Sequence, residues 1–334
     1  MNIAINGFGR IGRVAFKALL DKKNINVVAI NDPTDVKILA HLLQYDSCYG
    51  VYEKKVSSES GNLAVDGKKY KVLAEKEPAK LPWGKLKVDI VLECTGRFTD
   101  EVGASRHLET GAKKVIISAP AKDKNIKTIV LSVNEKDLHK NDKIISMASC
   151  TTNCLAPVTK IISDNFGVKK AMISTIHAYT ADQNLVDGSH KDLRRARAAA
   201  VNIVPTTTGA ALAAAKTIPK LVGKFDGLAL RVPIPVVSLC DMVYITEKPV
   251  TVEIVNQVIK RAAAGNYKGY VAVTEEPLVS SDFIGNSHSA IVDLPLTKVI
   301  GGDMLKIISW YDNEWGYSCR LADLCEYISK KKLL

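Results

Sequence analysis

A glycine-rich turn near the start of the chain constrains the fold more than any other feature of the sequence. Gly7, Gly9 and Gly12 follow a short apolar segment, residues 2–6, that we predict to be a β-strand. Apolar residues then recur at helical spacing over residues 11–19, which predicts a helix that begins within the turn. A G-x-G-x-x-G sequence alone is weak, but between a strand and a helix it is typical of a dinucleotide site. The sequence therefore predicts an α/β unit at this point.

An acidic residue twenty positions after the last glycine completes the pattern. Asp32 ends the second predicted strand, residues 26–31, and its carboxylate can accept hydrogen bonds from a ribose diol but would repel a 2′-phosphate. Gly7 permits the tight turn, Gly9 lets the backbone approach a pyrophosphate, and Gly12 lets the helix pack on the strand. We therefore predict a Rossmann-type domain that binds NAD rather than NADP. A glycine turn in an unrelated βαβ unit is the alternative.

Two further apolar runs, residues 88–94 and 114–118, are typical of parallel strands that are buried on both faces. Ligands bind at the carboxyl ends of such strands, so Thr95, Gly96 and Ser118 are candidate neighbours of the cofactor. Ordinary turn chemistry accounts for these three residues nearly as well.

The segment 146–157 joins a predicted strand to a predicted helix, and Cys150 stands at the start of that helix. Unpaired backbone N–H groups at a helix N-terminus favour a thiolate and lower the pKa of a cysteine. The flanking Ser149 and Thr151 are residue types that cap such an end and bind anions. His177 directly follows the next predicted strand and is a candidate base for a nucleophilic cysteine. A buried structural cysteine and a structural histidine are the alternatives.

Arginines and hydroxyls in the second half suggest an anion site. Residues 193–197 carry three arginines and precede residues 205–211, whose hydroxyls and N–H groups open an alanine-rich helix. A capped helix beside a solvated run of charges is the alternative. Arg231 lies among apolar residues of a predicted strand, where its charge requires an anionic partner.

The second half contains several predicted strands with few helices between them, which indicates a mostly antiparallel sheet. These strands are residues 236–247, 270–273, 290–293 and 304–311. We predict a NAD-binding domain, residues 1–149, that is completed by a C-terminal helical segment, residues 313–334. Residues 150–312 would form an α+β catalytic domain.

The composition and charge indicate the general class of the protein and of its partners. A chain of 334 residues with 47% apolar residues can bury a large core in two domains. The net charge of +11 fits nucleic acid, an anionic membrane or small acidic substrates. Dispersed lysines and only 6% aromatic residues favour phosphorylated small molecules. Seven scattered cysteines, no metal-ligand spacing, no signal peptide and no membrane-length apolar run predict a metal-free protein of the reducing cytosol.

Five segments, in order and over essentially the whole chain, resemble the phosphorylating glyceraldehyde-3-phosphate dehydrogenases. They are GFGRIGR (7–13), SCTTNC (149–154), LRRAR (193–197), PTTTGAA (205–211) and WYDNEWGY (310–317). The resemblance implies a cytoplasmic homotetramer that oxidises D-glyceraldehyde 3-phosphate with NAD and inorganic phosphate in glycolysis or gluconeogenesis. The product would be 1,3-bisphosphoglycerate, formed through a cysteine hemithioacetal and a thioester.

The resemblance also implies roles for individual residues. Cys150 would be the nucleophile and His177 its base, while Thr180 and Arg231 would bind the phosphate of the substrate. The attacking phosphate would meet five residues, Ser149, Thr151, Arg195, Thr208 and Gly209. Further cofactor contacts would come from Arg10, Ile11, Asn313, which would orient the nicotinamide carboxamide, and Tyr317.

Two rival functions remain beside this expectation. Erythrose-4-phosphate dehydrogenase shares the fold and the cysteine motif, but Thr180, Thr208 and Gly209 favour the triose phosphate enzyme. Binding of nucleic acid or of a surface is a second role that would need neither Cys150 nor His177. Ala181 stands where bacterial relatives often carry Asn, which would remove one hydrogen bond on the nicotinamide side.

Overall fold

The computed structural model describes all residues from 1 to 334 and contains seven α-helices and nineteen strands. The helices are α1 (Arg10–Leu20), α2 (Val36–Gln44), α3 (Glu101–Glu109), α4 (Cys150–Phe166), α5 (Ala210–Thr217), α6 (Val252–Ala264) and α7 (Trp315–Lys330). The strands of the first half are β1 (Asn2–Asn6), β2 (Asn26–Asn31), β3 (Tyr45–Asp46), β4 (Gly50–Val51), β5 (Val56–Glu59), β6 (Asn62–Val65), β7 (Lys68–Leu73), β8 (Ile90–Glu93), β9 (Lys114–Ile117), β10 (Lys127–Thr128) and β11 (Ile144–Ser146). Those of the second half are β12 (Val168–Ala178), β13 (Val204–Thr207), β14 (Phe225–Val232), β15 (Ser238–Thr246), β16 (Val271–Thr274), β17 (Ala290–Asp293), β18 (Lys298–Ile300) and β19 (Met304–Tyr311).

The chain divides into two compact units. The first comprises residues 1–129, 136–148 and 318–334, and the second comprises residues 130–135 and 149–317. The assignment of NAD binding to residues 1–149 with 313–334, and of catalysis to residues 150–312, concerns function and stays a prediction. None of the seven helices combines the length and the apolar character that crossing a bilayer requires.

The first unit is built on a nine-stranded sheet in the order β10-β11-β9-β8-β1-β2-β7-β6-β5. All pairings from β10 to β7 are parallel, and β8 and β9 are buried throughout, as their continuous apolar sequences predict. The chain leaves β1 toward β2 on one side and later adds β8 on the other, so the strand order reverses at β1. A crevice outside the carboxyl ends of strands at such a reversal is where open α/β sheets bind ligands. The predicted Rossmann-type fold is confirmed.

An antiparallel extension at one edge of this sheet was not predicted. The strands β5, β6 and β7 pair antiparallel through turns at Gly61 and Gly67, and β7 then joins β2 in parallel. The burial of β5 and β7 is partial and lacks a clean alternation, so their sequences carry little strand signal.

The second unit contains an eight-stranded sheet in the order β13-β14-β12-β15-β19-β17-β16, with β18 paired to β19. Five of the seven pairings are antiparallel, which confirms the predicted mostly antiparallel sheet. Helices α4, α5 and α6 contribute to the buried core together with alternate residues of these strands. The opposite face of the sheet remains partly exposed.

The register of β12 differs from the prediction in one functionally important respect. We predicted that the strand ends at Ile176 and that His177 follows it, but β12 continues to Ala178 because its parallel ladder with β14 continues to that residue. His177 therefore lies within the strand, and its partner in the register is Arg231.

Candidate active site

A sharp turn after β11 presents Cys150 as the first residue of α4. Ala148 has a φ of 55°, which is uncommon for a residue with a side chain. Ser149 caps the helix, because its hydroxyl accepts a hydrogen bond from the Thr152 N–H at 3.0 Å. Cys154, one turn later, is fully buried and contacts Ser309, which agrees with a packing role.

The thiol of Cys150 and the imidazole of His177 contact each other directly, with Sγ 3.4 Å from Nε2. Burial raises the pKa of Cys150 to about 11, although the charge of Arg231 and hydrogen bonds from Thr151 oppose this rise. Burial also lowers the pKa of His177 to about 3, and the positive charge of Arg231 adds to the effect. The predicted lowering of the Cys150 pKa by the helix N-terminus is therefore wrong, because burial outweighs it. Burial thus disfavours an isolated charge on either member of the pair.

The other ring nitrogen of His177 determines which tautomer faces the thiol. Nδ1 lies 2.7 Å from the Ala178 carbonyl oxygen and 2.6 Å from Nη1 of Arg231, and Nη1 itself donates to the same carbonyl at 3.0 Å. We assign the hydrogen to Nδ1, because a carbonyl oxygen accepts both donors. Nε2 then carries a free lone pair toward Sγ, which is what a general base for Cys150 requires.

Tyr311 supports this pair from inside the sheet, and no role was predicted for it. Its hydroxyl lies 2.8 Å from the Thr151 hydroxyl and 3.0 Å from the Thr175 hydroxyl. Its ring packs edge-on against His177, with centroids 6.0 Å apart. The alternating burial of β19 turns Tyr311 inward, and this alternation in the sequence was the available signal.

Arg195 lies beside the segment that the arginine and threonine pattern singled out. Its Nε donates to the Thr206 hydroxyl at 2.9 Å and its Nη2 to the Thr207 carbonyl at 3.3 Å. The next two residues, Thr208 and Gly209, open α5, and Gly209 faces open space. Arg195 is thus brought together with Thr208 and Gly209, and its charge also acts on His177 and Arg231.

The remaining residues of the predicted phosphate sites differ in whether their hydroxyls already have partners within the protein. The hydroxyl of Ser149 caps the helix, and that of Thr151 is turned toward Tyr311, so both already have partners inside the protein. Thr180 is half-buried two residues beyond β12, and its hydroxyl bonds to no protein group.

In the first unit, a cleft of about 290 Å³ opens at the carboxyl ends of β1, β2 and β8. Four of the predicted cofactor residues line it, namely Gly7, Gly9, Asp32 and Thr95. This volume lies at the lower end of the range for small-molecule sites. The cleft lies at the reversal of strand order at β1.

The glycine turn fits a pyrophosphate for reasons that differ from residue to residue. A Cβ on Gly12 would lie 2.1 Å from the Gly7 carbonyl oxygen, so Gly12 is required for packing of α1. A Cβ on Gly9 would meet nothing within 4 Å, and no side chain caps α1, so the backbone at Gly9 leaves room for a pyrophosphate to approach. The Asp32 carboxylate accepts the N–H groups of Phe8 and Thr34 at 2.8 and 3.0 Å, and its remaining lone pairs can accept ribose hydroxyls.

The other predicted cofactor residues do not line this cleft. The side chain of Arg10 pairs with Asp46 at 2.6 Å, and Ile11 follows it within α1. Gly96, with a φ of 70°, and Ser118 follow the ends of β8 and β9. In the second unit, Asn313 and Tyr317 are buried near the start of α7.

A buried polar network beneath the cleft was also missed. Glu93, whose side chain has no exposed surface, accepts hydrogen bonds from Asn6 at 2.6 Å and from His107 at 3.1 Å. Asn31 donates to Asn6 at 2.7 Å, and Trp83 donates to His107 at 3.0 Å. The network ties together the ends of β8, β1 and β2. Only tertiary contacts reveal it, because its members are far apart in the sequence.

Comparison with known proteins agrees with this description. The family model for the NAD binding domain of glyceraldehyde 3-phosphate dehydrogenase matches residues 1–101, and the model for the C-terminal domain of that enzyme matches residues 149–313. Similar curated proteins include glyceraldehyde-3-phosphate dehydrogenase of Priestia megaterium, glyceraldehyde-3-phosphate dehydrogenase 1 of Bacillus subtilis and glyceraldehyde-3-phosphate dehydrogenase of Geobacillus stearothermophilus. Each is 54% identical over 334 residues, which covers 100% of this chain and 99% of the relative. The resemblance noted from the five segments is confirmed, and the chain belongs to the glyceraldehyde-3-phosphate dehydrogenase family.

Proposed function

We propose that the protein is an NAD-dependent, phosphorylating glyceraldehyde-3-phosphate dehydrogenase of glycolysis and gluconeogenesis. The observation that carries this proposal is the contact between Cys150 Sγ and His177 Nε2 at the start of α4, with Arg231 packed against the imidazole. An activated cysteine beside two guanidinium groups suits an aldehyde that carries a phosphate and reacts with a second phosphate. The family membership supports the same reaction.

Cys150 begins the reaction by attacking the aldehyde carbon. As the C–S bond forms, the proton of Sγ moves to Nε2 of His177, and the imidazolium can return a proton to the new alkoxide. The product is a hemithioacetal on Cys150. Backbone N–H groups at the start of α4 can stabilise the developing oxyanion.

The first unit's glycine turn and Asp32 would hold NAD, which would supply the hydride acceptor for the carbon attached to Sγ. Cys150 holds that carbon throughout, and His177 accepts the hydroxyl proton as the C–O double bond of the thioester forms. An oxygen of inorganic phosphate then attacks the thioester carbon, and the C–S bond breaks. Cys150 leaves as a thiolate and can recover its proton from His177, while 1,3-bisphosphoglycerate is released.

Two anion sites serve the two phosphate groups. Thr180 and Arg231 are proposed to bind the phosphate of the substrate, which is supported by the unpartnered Thr180 hydroxyl and by a buried Nε of Arg231 that has no partner. The attacking phosphate is proposed to bind five residues, Ser149, Thr151, Arg195, Thr208 and Gly209. The adjacency of Arg195 to the start of α5 supports this set.

The residues proposed to hold NAD are those of the predicted set. Gly9 and the open start of α1 suit the pyrophosphate, and Asp32 suits the ribose diol. The set consists of Gly7, Gly9, Arg10, Ile11, Gly12, Asp32, Thr95, Gly96, Ser118, Asn313 and Tyr317. Because the Arg10 side chain pairs with Asp46, Arg10 is proposed to contribute through its backbone.

We also propose that the protein acts as a homotetramer in the cytoplasm. The outer face of the second sheet carries exposed apolar side chains, among them Met172, Leu228, Ile300 and Met304. The strand registers place these four on one face, and an exposed apolar patch of this kind marks an interaction site. A second copy of the chain is the proposed partner, and any nucleic-acid binding would be secondary.

The absorbance of NADH tests the proposed reaction. Purified protein is mixed with D-glyceraldehyde 3-phosphate and NAD, with and without inorganic phosphate, and Cys150→Ser is the control. We expect sustained turnover only when phosphate is present, and none with the variant. Turnover that ignores phosphate would overturn the phosphorylating mechanism, and faster turnover of erythrose 4-phosphate would overturn the assigned substrate.

A further inference from the structure

Ser238 occupies a junction between three strand ends in the second unit. It is the first residue of β15, which lies between β12 and β19 in the sheet. Its register partner on β19 is Tyr311, two residues before Asn313. On the other side β12 ends at Ala178, directly after the catalytic base. Ser238 therefore stands between His177 and Asn313 without touching the reacting atoms.

The Ser238 hydroxyl both accepts and donates a hydrogen bond at this junction. Its oxygen accepts the Ala178 N–H at 3.1 Å, and its one proton is donated to Oδ1 of Asn313 at 3.0 Å. Ser238 and Asn313 are 1% and 4% exposed, so water does not compete for these bonds. Oδ1 of Asn313 is the acceptor that the Ser238 hydroxyl proton has at this junction, so the second bond runs from Ser238 to Asn313.

The fixed direction determines the orientation of the Asn313 amide. A side-chain amide has two nearly identical ends, and only its hydrogen-bond partners decide which end points where. The Ser238 hydroxyl donates to Oδ1 of Asn313, and Nδ2 of Asn313 donates to no protein group. The amide thus keeps both N–H donors for a ligand that offers a carbonyl oxygen.

The backbone conformation of the preceding residue, Val237, indicates that the position of Ser238 is functionally important. Val237 is fully buried and has a φ of 69°, which is a rare and strained conformation for a β-branched residue. Strain of this kind persists where the surrounding structure enforces it, and it concentrates at functional sites. Here it immediately precedes the residue that links Ala178 to Asn313.

We propose that Ser238 is a positioning residue for the cofactor: it holds the Asn313 amide with Nδ2 presented to the nicotinamide carboxamide. This proposal rests on the proposed function, in which Asn313 orients that carboxamide. The same bridge connects the cofactor side to the base, because Ala178 binds Ser238 through its N–H and receives Nη1 of Arg231 and Nδ1 of His177 on its carbonyl.

A double-mutant cycle in NAD binding tests the proposal. The intact protein, Ser238→Ala, Asn313→Ala and the double variant are titrated with NAD, and binding is followed by fluorescence quenching. Loss of one hydrogen bond predicts that Ser238→Ala raises the Kd about 3- to 10-fold. If Ser238 acts through Asn313, the double variant will bind NAD as Asn313→Ala does, within about twofold.

Ser309→Ala is the matched control, because it removes a buried hydroxyl from the neighbouring strand β19 and is expected to leave the Kd unchanged. Thermal unfolding checks that each variant is folded, and Ser238→Cys, a weaker donor, replaces Ser238→Ala if the latter is not. Unchanged affinity in either single variant, or effects that multiply in the double variant, would overturn the proposal. The titration contains neither aldehyde nor phosphate, so a failure of the proposed reaction appears separately in the turnover assay.

Discussion

At Cys150 two electrostatic effects oppose each other. The start of α4 and the charge of Arg231 favour the thiolate, whereas burial of the sulfur favours the thiol. Burial prevails, and the pKa is raised to about 11. Burial likewise lowers the pKa of His177, so a single charge on either group is disfavoured. We therefore expect thiolate and imidazolium to form together by proton transfer, because opposite charges on Sγ and Nε2, 3.4 Å apart, stabilise each other.

Alkylation of Cys150 provides a test of this dependence. We expect His177→Asn to slow the reaction of Cys150 with iodoacetamide by about 100-fold at pH 7, the lower range for a lost general base. Without the base, the rate should rise about tenfold per pH unit toward the thiol pKa near 11, because only the thiolate reacts. In the intact protein it should vary much less over that range. Mass spectrometry would follow the Cys150 peptide, since Cys48, Cys94 and Cys319 are also partly exposed. Identical pH profiles would contradict the assignment of His177 as the base.

At the scale of elements, the start of α1 combines two requirements in one short turn. Gly12 is needed for packing, because a Cβ there would strike the backbone of Gly7, whereas Gly9 is needed only by a ligand, because a Cβ there would meet open space. The two glycines look equivalent in the sequence. Their roles separate only when their neighbours are known.

A matched pair of substitutions separates these roles. Gly9→Ala should leave the free energy of unfolding within about 0.5 kcal/mol of the original, because its methyl group contacts nothing and its φ of −71° suits alanine. It should weaken NAD binding at least tenfold, because the methyl group stands where the pyrophosphate approaches. Gly12→Ala should lower the free energy of unfolding by about 2 kcal/mol through overpacking.

Chemical denaturation and NAD titration measure the two quantities for each variant. Tight NAD binding by Gly9→Ala would mean that the pyrophosphate lies elsewhere. A fully stable Gly12→Ala would mean that α1 can move away from β1 without cost.

At the scale of the whole molecule, the outer face of the second sheet is an apolar surface that requires a partner. Its exposed apolar side chains lie on four strands, β12, β14, β18 and β19, whereas the inner face is covered by helices of the same chain. Such a face is costly to leave in water.

Placing one charge on this face tests the proposed assembly. Met172, at 59% exposure, lies within the face on β12, and Met172→Glu should shift the protein from tetramer toward smaller species because a carboxylate would be buried without a partner. Light scattering after size exclusion gives the mass. Val102→Glu is the control, since Val102 is 71% exposed on α3 in the first unit. A Met172→Glu variant of unchanged mass would exclude this face as an interface.

Much of the fold and part of the candidate site could be predicted from the sequence because their signals are local. The glycine turn, the spacing to Asp32 and the continuous apolar strands each concern residues within a few positions or one βαβ unit. The position of Cys150 at a helix start and the mostly antiparallel character of the second sheet followed in the same way. The short strands β5 to β7 were not predicted, because their sequences lack a clear hydrophobic period.

The tertiary structure decided whatever depends on residues that are distant in the sequence. Local rules favoured a Cys150 thiolate, but burial by the surrounding chain raised its pKa. The parallel register of β12 with β14 set Arg231 against His177, and the position of β15 between β12 and β19 set Ser238 against Asn313. Sequence alone determined the class of chemistry, because nucleophile and cofactor motifs are contiguous. Protonation and orientation were decided by packing, because they depend on which distant groups become neighbours.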